Sequence, residues 1–293
     1  MKKQVHLVLS SGGARGVAHI GVIEALLEEG FEIKSIAGSS MGAVVGGVYA
    51  AGKLPEYREW MCNLDKIDVF KLMDFTFSMQ GFVRGERVFN QMKSFIPECN
   101  IEDLNIPFTA VATNIINKEE VIFRSGSLYK ALRASASIPS VLKPVLLDDM
   151  ELVDGGVINP IPIQHVQPED GDLVVVSDVN ADVPCTMVEP TLTEKSRFAP
   201  LLEKWNTLFP KNNNKTKRLS YFDLIAKSID LMQDRISTLT LNQSKADIVV
   251  AISRETCGTF EFYRSKELIN YGKSEFKKEL SKYGLQSIES TSR

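Results

Sequence analysis

The sequence predicts an α/β fold, a three-layer αβα sandwich around a mostly parallel central sheet. Short apolar runs of strand length alternate along the chain with segments of helical periodicity. The first two strand-to-helix junctions are rich in glycine, which suits tight turns from a sheet into a covering helix. The chain has 293 residues, 44% of them hydrophobic, enough for a sizeable core. The expected organisation is one domain over 1–293, with an irregular insertion at about 183–218 and a C-terminal helical portion at about 221–293.

The elements follow in order. Val5-His6-Leu7-Val8-Leu9 suits a buried strand, and Ser10 to Gly16 forms a glycine-rich turn into a helix over Val17–Glu29. Ile36-Ala37 ends a second strand, and Met41–Ala51 reads as a small-residue helix that can pack close to the sheet. Leu54–Phe95 has no clear strand. Phe108–Ala112 is a strand with Val121-Ile122-Phe123 as partner, and Leu128–Ser135 is a helix stopped by Pro139. Val141–Leu147 and Leu152-Val153 pair as a hairpin around Asp148-Asp149, and Leu173–Val176 is another buried strand. Apolar residues recur at three and four positions from Tyr221 to Leu241, an amphipathic helix. Ile248–Ile252 is the last strand, and a charged helix runs from about Ser265 to Lys282.

Three of these junctions carry chemistry. Ser40 is the centre of Gly38-Ser39-Ser40-Met41-Gly42, a Gly-x-Ser-x-Gly turn between strand and helix. Such a turn pushes the hydroxyl out above the sheet, where a base can take its proton. The following helix points its positive end toward Ser40. The loop Ser11-Gly12-Gly13-Ala14-Arg15-Gly16 turns backbone N–H groups toward an anion. A dinucleotide loop would need glycine where Ser11 stands, and an acidic residue near the end of the second strand, which this chain lacks. An oxyanion hole facing Ser40 fits better. Asp154-Gly155-Gly156 lets a carboxylate at a strand end face a crowded site, and a carboxylate of raised pKa can act as base without histidine.

Together these residues resemble the patatin-like phospholipase family. The glycine loop, Gly38-Ser39-Ser40-Met41-Gly42, Ala134-Ser135-Ala136-Ser137-Ile138-Pro139 with Pro144 beyond it, and Asp154-Gly155-Gly156 match four blocks of that family in its order. The resemblance runs from about Val5 to Asn180 and resumes from Tyr221 to Gly272. It implies Ser40 as nucleophile and Asp154 as its base. The N–H groups of Gly12, Gly13 and Ala14 would form the oxyanion hole, supported by Arg15, Gly38, Gly42 and Gly155. Ser11 stands where the family usually has glycine, although its N–H is still available to an oxyanion. The implied activity is acyl hydrolysis of a phospholipid, lysophospholipid or neutral lipid ester at a membrane or micelle surface, with no cofactor and no metal. An acyltransferase on the same scaffold and a non-catalytic lipid-binding module are the alternatives.

Other features set limits. A histidine-containing triad has only His6, His19 and His165 to draw on, and only one strand precedes the elbow strand, unlike an α/β-hydrolase. The net charge of −3 gives no case for nucleic-acid binding. No apolar run reaches the roughly 18 to 20 residues of a membrane span, and the run behind Lys2 and Lys3 is too short for a secretion signal. A cytoplasmic chain, peripheral to membrane at most, is expected. Cys62, Cys99, Cys185 and Cys257 are far apart and read as reduced thiols. Val69–Phe82 holds phenylalanines and methionines suited either to an acyl pocket or to ordinary core. Phe198 to Phe209 and the basic run Lys211–Arg218 suit either a lid at a lipid surface or a small helix beside a solvated loop.

Overall fold

The computed structural model describes residues 3–73, 85–139, 141–187 and 221–284. Its centre is an eight-stranded sheet, and the strands are β1 (Gln4–Leu9), β2 (Glu32–Ser39), β3 (Phe108–Asn114), β4 (Glu119–Phe123), β5 (Val145–Leu147), β6 (Met150–Asp154), β7 (Leu173–Ala181) and β8 (Ile248–Ser253). Their order is β5-β6-β3-β2-β1-β7-β8, with β4 also paired to β3. The contacts among β3, β2, β1, β7 and β8 are all parallel, and β4, β5 and β6 add antiparallel pairs at one end. Parallel strands buried on both faces need continuous apolar runs, which β1 and β7 supply.

Successive β1 side chains point to opposite faces. Val5, Leu7 and Leu9 enter a large core with α1 (Ala18–Glu28), α2 (Met41–Ala50) and α8 (Ser265–Lys282). Val8 enters the opposite core with Val174, Val176 and Ile161, where Leu241 near the end of α7 (Tyr221–Gln243) packs. Helices therefore cover both faces of a mostly parallel sheet, the predicted three-layer arrangement.

The expected elements differ in detail. The first helix begins as a tight 3-10 turn over Gly13–Val17 before α1. The predicted hairpin forms around Asp148-Asp149, but its first strand starts at Val145, not Val141. The strandless stretch after α2 holds α3 (Leu54–Asn63), α4 (Lys66–Leu72) and α5 (Glu86–Met92). α6 (Leu128–Ser135) follows β4, as expected. The C-terminal portion also supplies β8 to the central sheet. The lid segment, its basic run and most of the phenylalanine-rich window lie outside the described residues.

Candidate active site

Strand register assembles the site. Leu9 pairs with Gly38, so the glycine loop after β1 and the turn after β2 leave the sheet at the same level. Ser39 pairs with Val111 of β3, and the next β3 residue, Ala112, pairs with Asp154. Asp154 is thereby carried next to Ser40, 114 residues away in sequence, and the Ser40 hydroxyl donates to Asp154 Oδ2 at 2.5 Å.

Ser40 has φ 55° and ψ −124°, a backbone conformation that L-residues rarely adopt. Such strain persists only where surroundings hold it. A Cβ on Gly38 would stand 2.6 Å from Ala43, and one on Gly42 2.3 Å from the Leu9 carbonyl oxygen, so the elbow closes only with glycine on both sides. The Ser40 N–H donates to Ser135 Oγ at 2.9 Å, and the Ser40 carbonyl accepts the Val44 N–H at 3.1 Å.

Asp154 is only 3% exposed, and each of its own polar atoms is hydrogen-bonded. Its N–H donates to the Ser137 carbonyl and its carbonyl accepts from Thr113 Oγ1, both at 2.9 Å. Gly155 opens the turn that follows, and the Gly156 N–H donates to Asp154 Oδ1 at 2.7 Å. Burial raises the Asp154 pKa to about 6, while the bonds from Ser40 and Gly156 pull it back toward the ionised form. A carboxylate poised there is largely ionised at neutral pH and still basic enough to take a proton.

The glycine loop departs from expectation at two N–H groups. Ala14 was expected in the oxyanion hole, but the left-handed turn at Gly13, φ 55°, directs the Ala14 N–H to the Thr259 carbonyl at 2.9 Å. The Ser11 N–H likewise donates to Pro160 O at 2.9 Å. Gly12 and Gly13 keep N–H groups without an acceptor among the described residues. Arg15 is buried, donating from Nε to Gly12 O at 3.2 Å and from Nη1 to Arg254 O at 3.1 Å. It thus anchors the loop from behind. Arg254 in turn pairs with Asp234 of α7. Asn180 Nδ2 holds the Ser11 carbonyl at 2.7 Å.

All three histidines are bound elsewhere. His6 joins Ser35 and Asp172 at the other end of the sheet. His19 is fully buried between Ser177 Oγ and Ser10 O, and burial lowers its pKa to about 4. His165 Nε2 lies 3.0 Å from Glu120 Oε1, and Arg124 donates to its Nδ1 at 3.3 Å.

Ser40 opens onto an apolar cavity of about 140 Å³ between α2 and the helices α3, α4 and α5. Tyr57, Met61, Val69, Met73, Phe89 and Met92 are among its walls, with Phe260 and Phe262 closing it from the C-terminal side. Val69, Leu72 and Met73 come from the phenylalanine-rich window, so part of that window does line a pocket. The sequence pattern carries no sign of the α3 and α5 contributions. Nor did it assign roles to Ser135 and Ser137, although both sit in the third family-like block. No described helix is long and apolar enough to cross a membrane.

The patatin-like phospholipase family model matches residues 7–166. An uncharacterized NTE family protein of Mycobacterium bovis is 32% identical, over 92% of this chain and 89% of its own length. Lysophospholipase NTE1 of Pyricularia oryzae is 29% identical, over 98% of this chain but only 18% of the fungal protein. VipD from Legionella pneumophila aligns with a TM-score of 0.42 and 13% identity, over 95% of this chain and 67% of that one. The family model spans the glycine loop, the elbow and the Asp154 turn, and the mycobacterial relative matches nearly end to end: the chain belongs to the patatin-like phospholipase family.

Proposed function

We propose that this chain is a serine lipid acyl hydrolase working through a Ser40–Asp154 dyad. The observation that carries the reading is the 2.5 Å contact between Ser40 Oγ and the buried Asp154 carboxylate at the mouth of an apolar cavity. Family membership supports lipid ester hydrolysis, and the cavity supports an acyl chain as the bound group.

Asp154 Oδ2 takes the Ser40 proton as Oγ attacks the ester carbonyl carbon. The carbonyl oxygen becomes an oxyanion, received by the N–H groups of Gly12 and Gly13. When the tetrahedral centre collapses, the proton on Asp154 passes to the leaving alcohol, and the acyl group stays on Ser40. Water then gives a proton to Asp154 and its oxygen to the acyl carbon. Fatty acid leaves, Ser40 regains its proton, and the dyad is restored. The lipid is met at a membrane or micelle surface, with the protein peripheral to it.

The test is fatty-acid release from a lysophospholipid, a diacyl phospholipid and a neutral lipid ester, with the unaltered protein and Ser40→Ala. Release from at least one substrate that vanishes in Ser40→Ala supports the reading. Equal release by both proteins, or none by either, overturns it. Adding a primary alcohol as competing acceptor separates hydrolysis from acyl transfer, since transfer yields a new ester.

A further inference from the structure

A second cavity lies against the apolar one, and the two share three residues: Trp60 and Leu64 from α3 and its end, and Leu72 from α4. Their chemistry differs sharply. The cavity that Ser40, Met41 and Gly13 line is apolar. The other has none of these residues, and its remaining lining is polar: Asn63, Asp68, Lys71, Arg87, Asn90 and Gln91. The shared residues are thus a partition, with Ser40 on one side and charged groups on the other. Trp60 is held in that partition by ring contacts to Tyr57 and Phe95, each with centroids 5.7 Å apart.

Resting on the acyl-hydrolase reading above, we propose that Trp60, Leu64 and Leu72 form the end wall of the acyl pocket and set the longest chain it accepts. A fatty chain that begins at Ser40 gains about fourfold in binding for each methylene it buries against apolar walls. The gain ends where the chain meets the partition. Beyond it, a chain would face Asp68, Lys71 and Arg87 with their bound water, and extra methylenes would add nothing. Leu64 and Leu72 are partly exposed, so trimming either opens the wall without emptying the core.

The experiment uses Leu64→Ala and Leu72→Ala in two assays. The first is kcat/KM for p-nitrophenyl esters of increasing chain length. The second is binding of saturated fatty acids of the same lengths by each variant combined with Ser40→Ala, read by displacement of a fluorescent fatty acid. For the unaltered wall, both series should climb with chain length and then level off. Either wall substitution should move the plateau to longer chains and raise the ratio of the longest to a short chain at least about fivefold. Any change in the short-chain values should be smaller than the change at the longest chains. If the plateau stays in place in both variants, or all lengths change by one factor, the wall assignment is overturned. If esters are not turned over but binding still shows the plateau and its shift, the hydrolase reading fails and the wall stands.

Discussion

The turns at the carboxyl ends of β1, β2 and β6 face Ser40 from one side, and α3, α4 and α5 face it from the other. In the turns, Ser10 to Val17, Gly38 to Ser40 and Asp154 to Gly156 are buried throughout, and buried hydrogen bonds fix Ser40 and Asp154 in place. The helices are short, alternate buried and exposed positions, and are tied by surface pairs such as Lys53–Glu56 and by the Asp65 cap of α4. On the function proposed above, the chemistry that needs sub-ångström placement falls where the backbone is over-determined. Recognition of a greasy chain, which needs only apolar surface of the right extent, falls to side chains that can repack.

The largest expected break of this contrast comes from the dyad. Ser40→Ala and Asp154→Asn should each lower ester turnover by about a thousandfold or more while circular dichroism stays unchanged. Retained activity in either folded variant would remove the rigid side's claim to the chemistry. Ser135→Ala is expected next. It leaves the strained Ser40 N–H buried without an acceptor, costing about 1–3 kcal/mol in urea unfolding. Misplacement of the elbow should also cut kcat about tenfold to a hundredfold with little change in KM. A loss of stability alone, with kcat unchanged, would reduce Ser135 to packing.

A smaller effect concerns stability against pH. The folded Asp154 pKa is raised to about 6, above that of an unfolded aspartate. The group's stabilising share is therefore complete below the unfolded pKa and is lost as pH rises through 6. Asp154→Asn should accordingly gain about 2 kcal/mol at pH 8 and nothing near pH 4, measured by urea unfolding at both values. Destabilisation at pH 8 would mean that the carboxylate's hydrogen bonds outweigh its burial. The smallest effect is expected for His165→Ala. The residue's ring is occupied by Glu120 and Arg124, so turnover should stay within about twofold, judged against the roughly 1.4 kcal/mol that a tenfold change requires. A large loss with folding retained would restore the triad.

The same contrast explains what could be read from the chain. The elbow, the glycine loop and the Asp154 turn were legible because few residue types tolerate such backbones, so glycine, serine and aspartate mark them. The alternation of strand and helix was legible because buried parallel strands must be continuously apolar. The cavity was not: Tyr57, Phe89 and Phe262 could be any large apolar residues, and only folding brings them together. Ser135 was illegible as a support because serine at a helix end is ordinary, and nothing local says that it faces Ser40. The direction of the Ala14 N–H was illegible for a similar reason, since it depends on the turn at Gly13 and on a carbonyl at Thr259.

The most direct test of the dyad is the pH dependence of Ser40 labelling by a fluorophosphonate, followed by peptide mapping from pH 4 to 9 in the unaltered protein and in Asp154→Asn. The account requires a labelling rate that rises through an inflection near pH 6 in the unaltered protein, as the Asp154 carboxylate ionises. In Asp154→Asn the rate should be far lower and lack that inflection. Identical profiles in the two proteins, or labelling at a residue other than Ser40, would contradict it.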